Sequence, residues 1–363
     1  MAAQLAERFK ISGTFWDARE MLETVSPDVV HITAPPQSHY SLASQCLDRG
    51  SHVYLEKPFA STAVEAKELI TLAEDRRLKI TAGHNYQFTL EMMEMRRLIA
   101  SNFVGGKPVH IESYWAYDLS DVSYVGPILS SETHWVRQLP GQLLQNLISH
   151  GIARLAEFLD DELADVIAIA HQSPELRNFG GNEVLDELRV LIRNKSGTTA
   201  FFCFSTQISG LNQLRIYGPA GSITADITTG TAVRNARRAY KSYLTYWIPP
   251  LRNAREHFRN ARRNMADFIR RRLYQDFGMK ELIERFYNSI RLNGPPPIPY
   301  REIILTARIM DEIFAQIYPG RGQGSDDKGQ RTEDRLEAAV HVQRVPDHHL
   351  APGRRSPVFS HPS

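Results

Sequence analysis

Short apolar runs alternate with helical patterns in the first part of the chain, and this alternation limits the fold more than any other feature. The runs are residues 28–33, 52–58 and 79–88, and the amphipathic segments between them are 41–50 and 62–77. Asp17, and Ser61 or Thr62, stand where helix N-caps are expected. Strands that alternate with helices of about a dozen residues form βαβ units and a parallel sheet. Residues 1–107 are therefore predicted to form an α/β, Rossmann-like domain with a parallel sheet.

The pattern changes near residues 105–108. Longer strands with alternating apolar and polar residues follow, joined by short turns, and a helical segment near 141–159 precedes most of them. The strand segments are 109–119, 164–172, 183–194, 197–207 and 211–227. This alternation predicts an α+β domain at 108–318 with a large, mostly antiparallel open sheet that has one covered face. Residues 319–363 are polar and rich in proline and glycine, so a disordered tail is predicted.

The overall charge hides a strong asymmetry. The 363-residue chain has a formal net charge of +2, but residues 231–273 hold twelve Lys/Arg against Glu256 and Asp267, a local charge of +10 that leaves −8 elsewhere.

Cys46 and Cys203 are far apart and form no metal-binding motif, so neither a disulfide scaffold nor a metal site is expected. No apolar run approaches the ~20 residues of a spanning helix, and the N-terminal segment lacks the apolar core of a signal peptide. A soluble, cytoplasmic protein is predicted.

Within the basic segment, apolar residues recur at three- and four-residue steps, which is typical of one face of a helix. This apolar stripe consists of Leu251, Ala254, Phe258, Ala261, Met265 and Phe268. Three interpretations stay open. In the first, the stripe packs on the sheet of its own domain or on a partner subunit. In the second, the helix at 251–272 attaches to an anionic membrane surface or a lipid-linked substrate. In the third, the segment binds nucleic acid. No nucleic-acid-binding motif accompanies the charge, so nucleic acid is the least favoured partner.

Three motifs follow one another along the chain: ITAPPQSH at 32–39, VYLEKP at 53–58 and GQLLQNLISH at 141–150. Together, and with a sheet domain following, they resemble the Gfo/Idh/MocA family of oxidoreductases, named for its glucose–fructose oxidoreductase and inositol dehydrogenase members. The resemblance covers about residues 1–318. It implies hydride transfer between NAD or NADP and a carbinol carbon of a sugar, nucleotide-sugar or cyclitol, in a homodimer or homotetramer. The alternative is a non-catalytic binding or scaffold protein on the same fold that has lost dinucleotide binding.

The resemblance assigns the EKP motif to the active site. Lys57 would be a catalytic residue lying where the nicotinamide meets the substrate, and the Lys57–Pro58 bond is often cis in the family. Glu56 would lie beside the cofactor as a structural partner of the lysine. Ligands bind at the carboxyl ends of parallel strands, and partial desolvation there would lower the pKa of Lys57 toward neutrality. The other interpretation is an ordinary solvated lysine paired with Glu56.

The APPQSH loop resembles a family loop that packs along the cofactor. This resemblance makes Thr33, Pro35, Pro36 and His39 candidate cofactor-binding residues, although Ala34 stands where the family has threonine before the prolines. The other interpretation of His39 is a residue at a helix N-terminus whose ring is bonded to the backbone.

The third motif supplies the candidates for substrate chemistry. The family pattern has a glycine pair, followed by an Asp and a His one helical turn apart; here Gln142 replaces the second glycine and Asn146 replaces the Asp, whereas His150 is present. His150 is predicted to act as the base, and Asn146 to bind a substrate hydroxyl. The GHN sequence at 83–85 resembles the family loop that follows the next strand, and this resemblance makes Asn85 a further substrate-binding candidate. Asparagine cannot hold an imidazolium by charge, so either Lys57 carries more of the proton transfer or the substrate orientation differs. The other interpretation of His150 is a core histidine.

The phosphate-binding part of a dinucleotide fold is not found in this sequence. A Rossmann fold has GxGxxG after its first strand, whereas the similar string at 320–324 follows a helical pattern and lies in the predicted tail. We expect a truncated or mis-started reading of a longer enzyme, or a product that has lost the loop. Binding of NAD or NADP by this chain is expected to be weak at best.

Overall fold

The computed structural model describes residues 2–119, 126, 128, 131, 133–160, 162–178, 184–238, 240–241, 243–272, 277–319 and 340–343. The glycine-containing string at 320–324 and most of the predicted tail therefore lie outside the described residues.

The first domain is built on a parallel sheet, as the sequence predicts. Its parallel strands are β1 (Val29–Ile32), β2 (His52–Leu55) and β3 (Ile80–Ala82). Its helices are α1 (Ala2–Phe9), α2 (Ala18–Val25), α3 (His39–Asp48), α4 (Ala63–Asp75) and α5 (Leu90–Ala100). β2 lies between β1 and β3 and pairs in parallel with both. The apolar strand residues are buried because helices cover the sheet, which explains the nearly continuous hydrophobic runs in the sequence.

Two N-caps fix where helices of this domain begin, and both agree with the sequence analysis. The Asp17 carboxylate accepts a hydrogen bond from the backbone N–H of Glu20, 3.0 Å away, and thereby caps α2. The Thr62 hydroxyl accepts from the N–H of Glu65 at 3.2 Å, while the Glu65 carboxylate accepts from the N–H of Ser61 at 2.9 Å. This reciprocal arrangement satisfies two backbone donors at the start of α4.

The outer edge of β1 is covered by a strand from the far end of the chain. This strand, β11 (Val340–Gln343), pairs antiparallel with β1, and His31 lies opposite His341. The structure thus differs at these four residues from the predicted disordered tail of 319–363. An uncovered strand edge leaves a row of backbone N–H and C=O groups without partners, and pairing with β11 satisfies such groups of β1.

The second domain contains a seven-stranded sheet in the order β10-β9-β8-β4-β7-β6-β5. Its strands are β4 (His110–Ala116), β5 (Leu163–His171), β6 (Glu187–Asn194), β7 (Thr199–Ser205), β8 (Gln213–Gly218), β9 (Gly221–Asp226) and β10 (Thr231–Ala236). The pair β4 and β7 is parallel, and every other neighbouring pair is antiparallel. The prediction of a mostly antiparallel sheet is confirmed.

The remaining helices divide between this sheet and the first domain. They are α6 (Trp135–Gln138), α7 (Gln142–Ala156), α8 (Pro174–Asn178), α9 (Leu244–Ile269), α10 (Phe277–Arg291) and α11 (Tyr300–Ile317). α7 is buried along its whole length between the sheet and α11. α11 also contacts α4, and Leu282 and Phe286 of α10 belong to the apolar core of the first domain. The two domains are therefore joined by shared helical packing.

α9 packs on the edge strand β10. In an ordinary amphipathic helix the apolar face lies against the protein, whereas in α9 it points away from the protein. Four large members of the apolar stripe, namely Leu251, Phe258, Met265 and Phe268, are exposed. The interpretation in which the stripe packs on the sheet of its own domain is therefore wrong. Along the described residues, no helix is long and apolar enough to cross a membrane.

Candidate functional site

The loops that follow β1 and β2 are tied to one another at the carboxyl edge of the parallel sheet. The ring of His39 spans them, with Nδ1 3.0 Å from the carbonyl oxygen of Pro58 and Nε2 2.8 Å from that of Ala34. His39 is buried, and burial lowers its pKa below the ordinary value for histidine. These contacts are those expected from a ring bonded to backbone groups, so His39 positions the loop that carries Lys57.

Lys57 links the sheet edge to the second domain. Its Nζ donates to the backbone carbonyl of Asn146 at 3.0 Å and lies 3.4 Å from the side-chain Oδ1 of the same residue. The peptide bond between Lys57 and Pro58 is cis, as the resemblance implies. Burial lowers the pKa of Lys57, and the charge of Glu56 opposes that change. A lysine with a lowered pKa is better suited to exchange a proton near neutrality than a solvated one.

Glu56 contacts the loops that follow β2 and β3. Its Oε2 accepts a hydrogen bond from the backbone N–H of Lys57 at 3.2 Å. The same carboxylate packs against Gly83 at the end of β3, where an added Cβ would come within 2.9 Å of Oε2. Glycine is therefore needed at position 83 for the loops after β2 and β3 to approach each other. Burial raises the pKa of Glu56.

Three polar residues occupy one face of α7 at four-residue steps: Asn146, His150 and Arg154. Asn146 meets Lys57, and His150 lies one turn further along the helix. The His150 ring packs against Tyr86, with centroids 4.7 Å apart, and against Trp115 of β4 at 5.7 Å. Its Nδ1 is buried and has no hydrogen-bond partner among the described residues. The core interpretation accounts for the packing of His150 and leaves this nitrogen unexplained.

A second histidine faces the first. His84 is buried, and its ring centroid lies 6.0 Å from that of His150. Burial, with a smaller contribution from the positive charge of Lys57, lowers the pKa of His84 to about 3. Burial also holds the pKa of His150 well below its ordinary value, with added repulsion from Lys57, His84 and Arg154. Both imidazoles are therefore neutral near pH 7, the form in which histidine can accept a proton.

Arg154 is the charged residue that sequence reasoning missed on this helix. It is fully buried, its guanidinium lies 4.8 Å from the Trp115 ring centroid, and its Nη2 donates to the carbonyl of Tyr114 at 3.3 Å. Burial lowers its pKa to about 10, against the attraction of Glu91. Its position one turn after His150 was the available sequence signal.

The structure brings together only some of the predicted site residues. Lys57 and Asn146 are hydrogen-bonded at the interface between the domains, and His150 lies one helical turn from Asn146. Asn85 begins a 3₁₀ turn, and its carbonyl packs against Gly278 of α10, where an added Cβ would come within 2.4 Å. The neighbouring His84 is the residue of that loop that faces His150.

The four cofactor candidates all lie at the carboxyl end of β1. Pro36 and His39 are buried there, Pro35 is partly buried, and Thr33 is exposed. This position is where a cofactor is expected at a parallel sheet, but the His39 ring bonds to backbone carbonyls of the protein itself.

A dinucleotide would find suitable residues at one end of this site only. The buried, unpartnered Nδ1 of His150 and the ammonium of Lys57 fit the place where a nicotinamide meets a substrate hydroxyl. The pyrophosphate needs backbone N–H groups of a glycine turn beside β1. In the described part of the chain, β11 lies next to β1 at that edge, and no such turn accompanies it. The described residues therefore fit the nicotinamide end, and no phosphate-binding turn is found among them.

Among the described residues, no group of three or more His, Cys, Asp or Glu side chains is placed to hold a metal ion.

Two family models match consecutive parts of the chain. The model described as "Oxidoreductase family, NAD-binding Rossmann fold" matches residues 1–84, and the model described as "GFO/IDH/MocA C-terminal domain" matches residues 92–224. The first match covers the parallel sheet up to the end of β3, and the second covers most of the antiparallel sheet.

Curated relatives align with a limited part of the chain. An uncharacterised oxidoreductase of Schizosaccharomyces pombe is 37% identical over 95 residues, which is 26% of this chain and 26% of that protein. The D-glucoside 3-dehydrogenase of Escherichia coli is 30% identical over 104 residues, or 29% of this chain and 30% of the enzyme. The matched region thus spans only 26–30% of the length of the first curated relatives.

The likeness to solved structures extends further. An NAD binding oxidoreductase from Klebsiella pneumoniae has a TM-score of 0.67 with this chain at 20% identity, covering 87% of this chain and 85% of that one. The arrangement of a parallel-sheet domain followed by an open antiparallel sheet is therefore shared over most of both chains.

Proposed function

Because the chain belongs to the Gfo/Idh/MocA family of oxidoreductases, we propose that it transfers a hydride between NAD or NADP and a carbinol carbon of a sugar, nucleotide-sugar or cyclitol. The observation that carries the proposal is the meeting of Lys57 with the α7 face that holds Asn146 and His150. The name of the D-glucoside 3-dehydrogenase supports the sugar-like substrate class.

In the proposed reaction, the nicotinamide supplies the hydride acceptor or donor when it is bound. The chain's own residues manage the hydroxyl proton. His150 is neutral near pH 7, so one ring nitrogen has a lone pair for the proton of the substrate hydroxyl during oxidation, while the same burial makes it a weaker base than a solvated imidazole. Lys57 donates a hydrogen bond to the substrate oxygen and, with its lowered pKa, can share the proton. The aromatic rings of Tyr86 and Trp115 pack against the imidazole and contribute to its burial.

Asn146 orients the Lys57 ammonium but does not stabilise its positive charge as a carboxylate would. Its backbone and side-chain oxygens both approach Nζ of Lys57, and neither carries a full negative charge. The pKa of Lys57 therefore stays lowered, whereas an aspartate at this position would raise it. Asn146 is also proposed to bind a substrate hydroxyl, which replaces one of its contacts with Lys57.

The experiment is a turnover assay of the full chain against a panel of sugars, nucleotide-sugars and cyclitols, with NAD and NADP each at saturating concentration. Lys57→Gln and His150→Gln are expected to lower kcat/KM by about 10²–10⁴-fold, the usual contribution of proton transfer. Lys67→Gln is the matched control, because Lys67 is exposed on α4. Undiminished turnover in both site variants would contradict the proposal.

A second candidate function is suggested by the edge of β1. Among the described residues, β11 rather than a glycine turn lies beside β1, and we propose as the alternative a non-catalytic binding or scaffold protein on the same fold. Calorimetric titration with NAD and NADP separates the two. Weak but measurable binding that is lost in Lys57→Gln supports the enzyme, whereas no binding of either dinucleotide together with binding of a sugar-like ligand supports the scaffold.

Two further predictions stay untested. A homodimer or homotetramer is proposed for the protein, and sedimentation velocity would measure its assembly state. A cytoplasmic location is likewise a proposal, which fractionation of cells that produce the protein would test.

A further inference from the structure

α9 is held to the protein by its polar side. Glu256 forms an ion pair with Arg234 of β10, with N···O distances of 2.8 and 3.0 Å. The buried Asn260 accepts from the backbone N–H of Ala232 and donates to its carbonyl, both at 3.0 Å. Arg263 donates to the carbonyl of Gly230 at 3.0 Å. These contacts fix which face of α9 lies against the sheet and which face points away.

The face that points away is apolar along most of its length. Leu251, Phe258 and Met265 follow one another at seven-residue steps and are 66%, 66% and 60% exposed. Phe268 and Ile269 continue the same face at 67% and 72%. Soluble proteins rarely expose a continuous apolar surface of this kind without a binding role.

Aromatic residues extend this surface at the start of the helix. Tyr243, Tyr246 and Trp247 are 69%, 81% and 69% exposed. Tyrosine and tryptophan are enriched where proteins meet the boundary between lipid headgroups and acyl chains, because one end of each ring system is polar.

The exposed charges beside this surface all have one sign. Between residues 244 and 272, the exposed charged residues are Arg255, Arg262, Arg270, Arg271 and Arg272. The acids of this segment are turned inward, since Glu256 is paired with Arg234 and Asp267 is buried. Arg255 and Arg262 each lie four residues after a stripe residue, so they border the apolar surface.

We propose that the outer face of α9 binds an anionic lipid bilayer, with its apolar residues at the boundary of the acyl chains and its arginines on the lipid phosphates. A basic helix with an apolar face and low overall hydrophobicity lies in the plane of a membrane. A second copy of the chain is the less suitable occupant, because pairing two such helices would bring ten exposed arginines together without an exposed acid on either helix. The proposal is independent of the proposed reaction.

The test is co-sedimentation of the full chain with vesicles of phosphatidylcholine alone and of phosphatidylcholine with phosphatidylserine. Binding is expected to the anionic vesicles only and to weaken as salt is raised. Each arginine near an anionic surface contributes about fivefold to binding, so Arg255→Gln with Arg262→Gln is expected to reduce it ~25-fold. Leu251→Ser with Phe258→Ser and Met265→Ser is expected to abolish it.

The matched control replaces exposed apolar residues outside α9, namely Ile167→Ser with Ile169→Ser and Leu191→Ser, which lie exposed on β5 and β6. This control is expected to bind vesicles as the unmodified chain does, and circular dichroism verifies the fold of every variant. Three results would overturn the proposal. The first is vesicle binding that is unchanged in the α9 serine variant. The second is an unmodified chain that binds no vesicles and forms a dimer, which the α9 serine variant alone fails to form. The third is salt-sensitive binding of the unmodified chain to RNA or DNA and not to vesicles.

Discussion

The Lys57 ammonium donates a hydrogen bond to the backbone carbonyl of Asn146, 3.0 Å away, and this contact joins a strand end of the first domain to a helix of the second. A backbone carbonyl cannot be removed by a side-chain substitution, so the position of the ammonium is set by the fold of α7. Changes of the Asn146 side chain should therefore alter the electrostatics of the site while the lysine stays in place.

Asn146→Asp is predicted to raise the pKa of both Lys57 and His150. A carboxylate 3.4 Å from Nζ and one turn before the imidazole favours the charged forms of both groups. A smaller fraction of His150 is then neutral at a given pH, so the acid limb of the kcat/KM profile should move to higher pH. NMR titration of His150 gives the same readout without turnover, and Asn146→Gln is the uncharged control. A limb that moves to lower pH would contradict the assignment of His150 as base.

Gly151→Ala is predicted to destabilise the protein by ~1–3 kcal/mol, the usual cost of overpacking a core. The added Cβ would come within 2.5 Å of the Phe202 ring, so α7 would have to move away from β7. Urea unfolding followed by circular dichroism measures the effect. Gly13→Ala is the matched control, since the closest atom to its Cβ would be 3.6 Å away. Equal stability of the two variants would show that the helix is not tightly packed on the sheet.

The pH dependence of folding should change when Glu302 is replaced by Gln. Burial raises the pKa of Glu302 to about 7, above its ordinary 4.5, so its contribution to stability is present below pH 4.5 and is lost as pH rises through 7. Compared with the unmodified chain, Glu302→Gln should therefore gain up to ~3 kcal/mol in unfolding free energy between pH 5 and pH 8. Glu175→Gln, at an exposed position, is the control. A difference that shrinks as pH rises would contradict the assigned pKa direction.

Removal of residues 340–363 is predicted to expose the backbone of β1. Since β11 pairs with Val29–Ile32 on one side and β2 pairs on the other, only the side facing β11 should lose protection. Hydrogen exchange of the β1 amides that face β11 is expected to speed up by at least an order of magnitude, while β2 amides serve as the internal reference. Unchanged exchange across β1 would show that β11 does not protect this edge.

Much of the fold is readable from the sequence because its signals are local. The β-branched runs predict β1 and β2, and the Asp17 and Thr62 caps lie where short-range hydrogen bonding places them. The EKP motif predicts the cis bond after Lys57 through its resemblance to a family. Each of these features depends on residues within a few positions of one another.

The features that escaped prediction depend on distant residues. His84 is part of the site because its ring lies against that of His150 on α7, and Arg154 is buried against Trp115 and Tyr114 of β4. The periodicity of α9 predicts an apolar stripe but not the direction it faces, which Asn260 and Glu256 decide by bonding to β10. The pairing of β1 with β11 likewise cannot be predicted from the local sequence pattern, because the two strands are far apart in the chain.

The pairing of His31 with His341 has a consequence for the protein as it leaves the ribosome. β11 emerges about 310 residues after its partner β1. At ~5–20 residues per second, the edge of β1 waits roughly 15–60 s for β11. During that interval the nascent chain carries an open strand edge, so the time of greatest exposure to chaperones and to misassembly is set by the rate of translation rather than by the rate of folding.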